Sequence, residues 1–160
     1  MSEKVTIKVE RKTLHLPTIA LRGLVVFPNN LVHFEVGRAK SIAAVEWAMA
    51  NNSNVFLVAQ KSMDTTEPQQ ADLFGYGVVA EVKQVLRVSG DLVKVLVEGK
   101  YRAKLSVLDA SGDFLLSEVR PAPVRAGKAD DAVETEALLR ALKAGFDEYL
   151  GMNPRLGKDV

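Results

Sequence analysis

One glycine sets the terms for this chain. Gly99 lies inside L-V-E-G-K-Y-R-A-K-L at residues 96–105 and joins two runs of alternating residues that extend from 92 to 107. Val93, Val95 and Val97 share one face of the first run, and Tyr101, Ala103, Leu105 and Val107 carry an apolar face onward. Lys94, Glu98, Lys100, Arg102 and Lys104 point the other way. A glycine within a strand marks a bend, a bulge or a close backbone approach. The pattern therefore predicts a small barrel bent at Gly99.

The remaining segments supply the other walls. Residues 14–21, 24–27 and 31–36 are strand candidates, with Gly23 and Pro28-Asn29-Asn30 between them. From 38 to 50 the period becomes helical: Ile42, Val45 and Met49 are spaced along one face among alanines, and Asn51-Asn52 supplies the stop. Residues 55–59 form a short continuous apolar run, as in a central strand covered on both sides. A polar loop follows at 61–72, long enough to move. Strands at 76–88 and 92–97 flank the turn Ser89-Gly90-Asp91, a turn at 108–113 comes next, and 114–119 is the last strand.

Pro121, Pro123 and Gly127 end the strand pattern. The expected organisation is a β-rich domain at 1–123, a linker at 124–130 with its hinge at 125–130, and a helical beginning at 131–160. Asp131 and Glu134 open the last helix, and Leu138, Leu142, Gly145, Phe146 and Tyr149 form its stripe until Gly151. That stripe has no evident partner, so the sequence is expected to stop inside a larger helical domain.

Composition narrows the chemistry. With 21 basic and 20 acidic residues the net charge is +1, too small for a global field that draws the chain to nucleic acid or anionic lipid. There is no cysteine, which excludes thiolate zinc sites and thiol nucleophiles. The N-terminal M-S-E-K-V-T-I-K-V-E-R-K is charged throughout and is not a signal peptide, and no apolar run approaches the roughly 20 residues of a membrane span.

No catalytic constellation emerges. Residues 151–158 imitate a phosphate loop, but five residues separate Gly151 from Gly157, Asp159 stands where a Ser or Thr is needed, and no strand precedes them. His15 and His33 are the only histidines and lack companions at metal-ligand spacing. Lys40-Ser41 and Lys61-Ser62 read as surface pairs, and Asn51-Asn52-Ser53 as a helix end rather than a glycosylation acceptor. Lys94, Lys100, Arg102 and Lys104 read as a solvated sheet face, because Tyr101 projects away from them and offers no stacking platform. Large apolar residues sit beside turns at 24–28, Leu31 and 73–76. They either plug the barrel ends or form a shallow surface for extended hydrophobic peptide, in which case Phe27, Leu31, Phe74 and Tyr76 are the candidate substrate contacts.

Several motifs in order resemble one family. L-P-T-I-A-L-R-G-L-V-V-F-P at 16–28, V-G-R-A-K-S-I at 36–42, A-M at 48–49, F-L-V-A-Q at 56–60, E-P at 67–68, D-L-F-G-Y-G at 72–77 and V-K-V-L-V-E-G-K-Y-R-A at 93–103 are similar to the N-terminal domain of bacterial Lon, the ATP-dependent serine protease. The similarity covers residues 14–120 almost continuously and departs from the commoner choices at Gly23 and at Lys100-Tyr101. It implies an α+β, mainly β fold: a PUA-like pseudo-barrel of about six strands with one packed helix, followed by the start of a helical subdomain.

It further implies a non-catalytic domain without cofactor that recognises unfolded or misfolded polypeptides and supports assembly of a cytoplasmic homohexamer. ATP, Mg and the Ser-Lys protease would belong to the parent protein, beyond residue 160. The domain alone is expected to be a monomer or weak dimer, with no membrane or nucleic-acid partner. The competing reading is a stand-alone PUA-like module binding nucleic acid or a small ligand.

Overall fold

A computed structural model describes residues 12–124 and 132–153. The described residues form β1 (Leu14–Leu21), β2 (Leu31–Val36), α1 (Ala39–Ala50), β3 (Asn54–Ala59), β4 (Tyr76–Ser89), β5 (Leu92–Asp109), β6 (Leu115–Pro121) and α2 (Ala132–Met152), with a short 3-10 turn at Gln70–Asp72. The chain divides after Pro123 into two compact units. The hinge expected at 125–130, the Asp131 helix start and residues 154–160 of the phosphate-loop imitation lie outside the described residues.

The sheet runs β2-β5-β4-β3-β1-β6, and β6 returns to pair with β5, so β5, β4, β3, β1 and β6 close into a ring. β2 stands outside that ring, paired with the first half of β5 from Leu31↔Glu98 to Val36↔Val93. β1 and β3 are parallel and the other pairs antiparallel. The parallel pair requires a crossover, and the segment containing β2 and α1 provides it.

Both faces of β1 and β3 are covered. Ile19, Leu21, Val55 and Leu57 pack with Val93, Val95 and Val97 and with Ala44, Val45 and Ala48 of α1. Leu16, Ala20, Phe56 and Val58 pack with Val79, Ala103, Leu105 and Val119. This accounts for the continuous apolar run of β3. In the second layer the Thr18 hydroxyl lies 2.6 Å from that of Ser117, with both residues fully buried, so the polar pair satisfies itself where water cannot.

Four sequence expectations change. Residues 24–27 form no strand, because the chain leaves the sheet at Gly23, whose φ of 63° is left-handed. The two runs around Gly99 form one strand of 18 residues, with a register shift opposite Lys100 where Val79↔Tyr101 gives way to Ala80↔Gly99. Beyond that bulge the apolar face is only half kept: Ala103 and Leu105 are buried, Tyr101 and Val107 exposed. On α1 the buried face is Ser41, Ala44, Val45 and Ala48; of the expected stripe Val45 is buried, Ile42 is partly buried against the core and only Met49 faces out.

Residues 61–72 are also held more firmly than a free polar loop. The Gln60 amide donates to the carbonyls of Ser62 and Thr65, and the Lys61 N–H donates to Asp72.

Gly99 meets a demand for space rather than for an unusual backbone angle, since its φ is not left-handed. A Cβ there would lie 2.2 Å from the Phe27 carbonyl oxygen, and the glycine exchanges backbone hydrogen bonds with the same loop, Asn29 N–H to Gly99 O and Gly99 N–H to Asn30 O, each 2.9 Å. Gly99→Ala is therefore expected to cost about 3 kcal/mol in urea denaturation, the upper end of overpacking penalties, because backbone cannot yield as a side chain does. Gly90→Ala, which meets nothing within 4 Å, is the near-neutral control.

Candidate functional site

An apolar groove of about 470 Å³ lies between two loops. One lip is residues 25–28, pinned to Gly99. The other is residues 74–77, fixed where Phe74 N–H donates to Ala59 O (3.1 Å) and Leu105 N–H donates to Gly75 O (2.9 Å). Leu21, Leu57, Ala59 and Val78 line the groove between them. Gly77 lets β4 come against β3 here: a Cβ would lie 2.3 Å from the Leu57 carbonyl and 2.6 Å from the Phe56 ring.

Three of the four expected contacts meet in this groove. Phe27, Phe74 and Tyr76 line it and are 60%, 51% and 53% exposed. They therefore do not plug the barrel ends. Leu31 is as exposed, at 62%, but starts β2 opposite Glu98 and is not part of the lining. Sequence reading left out Val25 and Arg102. Val25 was legible within the apolar run at 24–27, whereas Arg102 was grouped with a solvated stripe. Its guanidinium lies 5.8 Å from the centroid of the Tyr76 ring, a cation–π contact that only the β4–β5 pairing reveals.

The supposed basic stripe is interrupted. Glu81 and Glu98 face each other across β4 and β5, an unfavourable like-charge pair. Lys83 and Lys100 each bridge both carboxylates at 2.8–3.0 Å and close a neutral square. Hydrogen bonds from the lysines hold both glutamates below their ordinary value, and the same bonds raise both lysines.

The other candidates find structural partners. Lys40 donates to Ala110 O (2.6 Å) and Lys61 to Ala71 O (2.8 Å), so neither is directed at its neighbouring serine. Asn51 donates its side-chain amide to Trp47 O (2.8 Å) and Asn52 takes a left-handed φ of 49°, which ends α1 as expected. His15 lies 3.9 Å from Glu118 across β1 and β6, a pairing invisible in sequence. Among the described residues no group of three or more His, Asp or Glu is arranged to hold a metal, and no helix is long and apolar enough to cross a membrane. On α2 no described residue is buried, and Phe146 stacks on Tyr149 at 6.4 Å between centroids.

The sequence profile of the ATP-dependent protease La (LON) substrate-binding domain matches residues 15–160. The chain belongs to that family. It is 39% identical over 141 residues to the Lon protease of Syntrophomonas wolfei and 36% identical over 145 residues to that of Haemophilus influenzae, alignments covering 88% and 91% of this chain. They cover only 17% and 18% of those relatives, so the chain spans less than a fifth of their length.

Among solved structures it is similar to the N-terminal domain of Mycobacterium avium complex Lon protease (TM-score 0.59, 22% identity, 91% of this chain and 77% of that one). It is also similar to a Lon N-terminal domain protein from Xanthomonas campestris (TM-score 0.55, 14% identity, 81% and 73%). At these identities the structures speak to the fold, a mainly β six-stranded domain.

The charge square makes a pH prediction. Carboxylates held below 4.5 when folded contribute stability above that value and lose it as pH falls through the folded pKa; the raised lysines contribute below 10.5 and lose it as pH rises past their folded values. In Lys83→Met/Lys100→Met the facing glutamates repel and their pKa values rise. The thermal midpoint of the variant relative to wild type should then improve between pH 7 and pH 4, a trend that scanning calorimetry across that range would read.

Proposed function

We propose that this chain is the non-catalytic substrate-recognition region of a Lon-type ATP-dependent protease, and that its groove takes an extended apolar segment of unfolded or misfolded polypeptide. The observation that carries this reading is the coincidence of a substrate-binding family with one exposed, rigidly framed apolar groove. Phe27, Phe74 and Tyr76 are the anchors, with Leu31 as an outlying contact. Aromatic side chains suit this task, since they bury much area at small entropic cost and tolerate varied sequence.

ATP hydrolysis with Mg, Ser-Lys peptide cleavage, homohexamer assembly and a cytoplasmic setting are proposed for the whole protein on the strength of its resemblance to Lon. Six such grooves in one ring would turn weak individual binding into firm capture through effective concentration.

Titrating the isotope-labelled chain with a permanently unfolded protein tests the groove. Wild type should bind with a dissociation constant of about micromolar to millimolar, as expected for one shallow patch. Phe27→Ser, Phe74→Ser and Tyr76→Ser should each weaken binding about tenfold while the amide spectrum stays dispersed, and Leu31→Ser should weaken it less. Unchanged binding by all four folded variants would remove the groove from substrate recognition.

We also propose that 124–130 links two separately folding parts, supported by the division of the chain after Pro123. Limited trypsin digestion should then cut first at Arg125 or Lys128 and leave a stable core ending near residue 123.

A further inference from the structure

A second cavity has a different chemistry from the groove. It is an open hollow of about 350 Å³ between β1, β2 and the first turn of α1. Ile19, Leu21 and Val36 give it a buried apolar wall, and Arg22, Arg38 and Ser41 line it as well.

Every acceptor bound by the two arginines is neutral. Arg38 donates to the carbonyl of Ala20, to Oε1 of Gln60 (2.7 Å) and to the carbonyl of Thr66 (3.4 Å), and Arg22 donates to the carbonyl of Thr65 (3.2 Å). Among the described residues neither guanidinium forms an ion pair. Burial and the nearby charge of Arg22 both disfavour the charged form of Arg38. Two like charges thus share a partly enclosed space with N–H groups to spare, since a guanidinium carries five.

Two further observations converge on the same space. Ser41 is only 5% exposed, yet its hydroxyl makes no hydrogen bond among the described residues. Among the described residues no fully buried side-chain polar atom lacks a partner, so this oxygen keeps some accessible surface, and Ser41 lines both this cavity and a neighbouring one. The start of α1 has no side-chain cap and no acidic residue in its first turn, which leaves the positive end of the helix without a counter-charge. The one acidic residue in the lining, Glu35 on β2, forms no ion pair among the described residues and opposes an anion from the rim.

We propose that this cavity binds a single oxyanion, a carboxylate or phosphate group, between Arg22, Arg38, the Ser41 hydroxyl and the first turn of α1. The planar guanidinium fork matches both anions, and the apolar wall accommodates a short aliphatic substituent on the carboxylate. The site shares the Leu21 wall with the groove, and its polar residues are its own.

The test is an amide-shift titration of the 160-residue chain with sodium phosphate and, separately, sodium butyrate, each at constant ionic strength set with chloride. Saturable shifts are expected at residues 37–41. Arg22→Gln, which removes one exposed side chain holding a single loop carbonyl, should weaken binding about tenfold, and Ser41→Ala about threefold. Glu35→Gln should tighten it about threefold, because a rim charge that repels the ligand is gone. Tighter butyrate binding identifies an aliphatic carboxylate as the ligand; tighter phosphate binding identifies a phosphoryl group. Shifts that do not saturate by about 50 mM, or affinities unchanged in all three variants, would mean general salt attraction and overturn the proposal.

Discussion

Everything in the β-rich unit hangs on one strand with three partners. β5 pairs with β2 through its first half, with β4 along most of its length and with β6 through its second half. A strand of 18 residues can do this only if it bends and twists, and the shifts opposite Lys100, between Val82 and Gln84 and between Leu105 and Val107 are where that happens. The ring that results has paired backbone on both sides of five strands and leaves β2 as the edge.

The loops that frame the groove are held by the same strand. Gly99 locks residues 27–30 through two backbone hydrogen bonds, and Leu105 takes hold of Gly75. The two groove lips are therefore anchored six residues apart on one continuous piece of sheet. Exposed aromatic side chains on loops would ordinarily collapse onto the nearest apolar surface; here fixed backbone keeps them apart and accessible. Bulk charge contributes little, because the Glu81, Glu98, Lys83 and Lys100 square cancels itself.

Period and punctuation made most of the fold legible. β1 and β2 begin and end where alternation and Gly-Pro signals place them, and the β4–β5 hairpin turns at Gly90-Asp91. What sequence could not show was pairing. Residues 24–27 are as apolar as a strand, but the turn at Gly23 takes them out of reach of any partner. Tyr101 and Val107 alternate correctly, yet stand where the register shifts. On α1 the expected stripe holds at Val45 and Ile42 and fails at Met49, and the small residues Ser41, Ala44 and Ala48 complete the buried face. For the groove, apolar residues beside turns were a usable signal, and it found Phe27, Phe74 and Tyr76. That Arg102 lines the groove and Leu31 lies outside its lining is not legible in sequence for one reason: where a surface residue sits depends on which strand lies beside it, and that is a long-range fact.

Closure of the ring joins the two ends of the unit. β1 pairs with β6, and the Thr18 and Ser117 hydroxyls that meet in the core are 99 residues apart in sequence. A chain made from its N-terminus must carry β1 with one edge unpaired until the last strand has been synthesised, although α1, β3 and the first half of β5 are available earlier to cover the Ile19 and Leu21 face. Closure of the ring is thus gated by its final segment, and the open strand edges of the nascent chain are exposed to aggregation during that interval. A domain of a substrate-binding family thus begins its own existence as an open ring with unpaired strand edges.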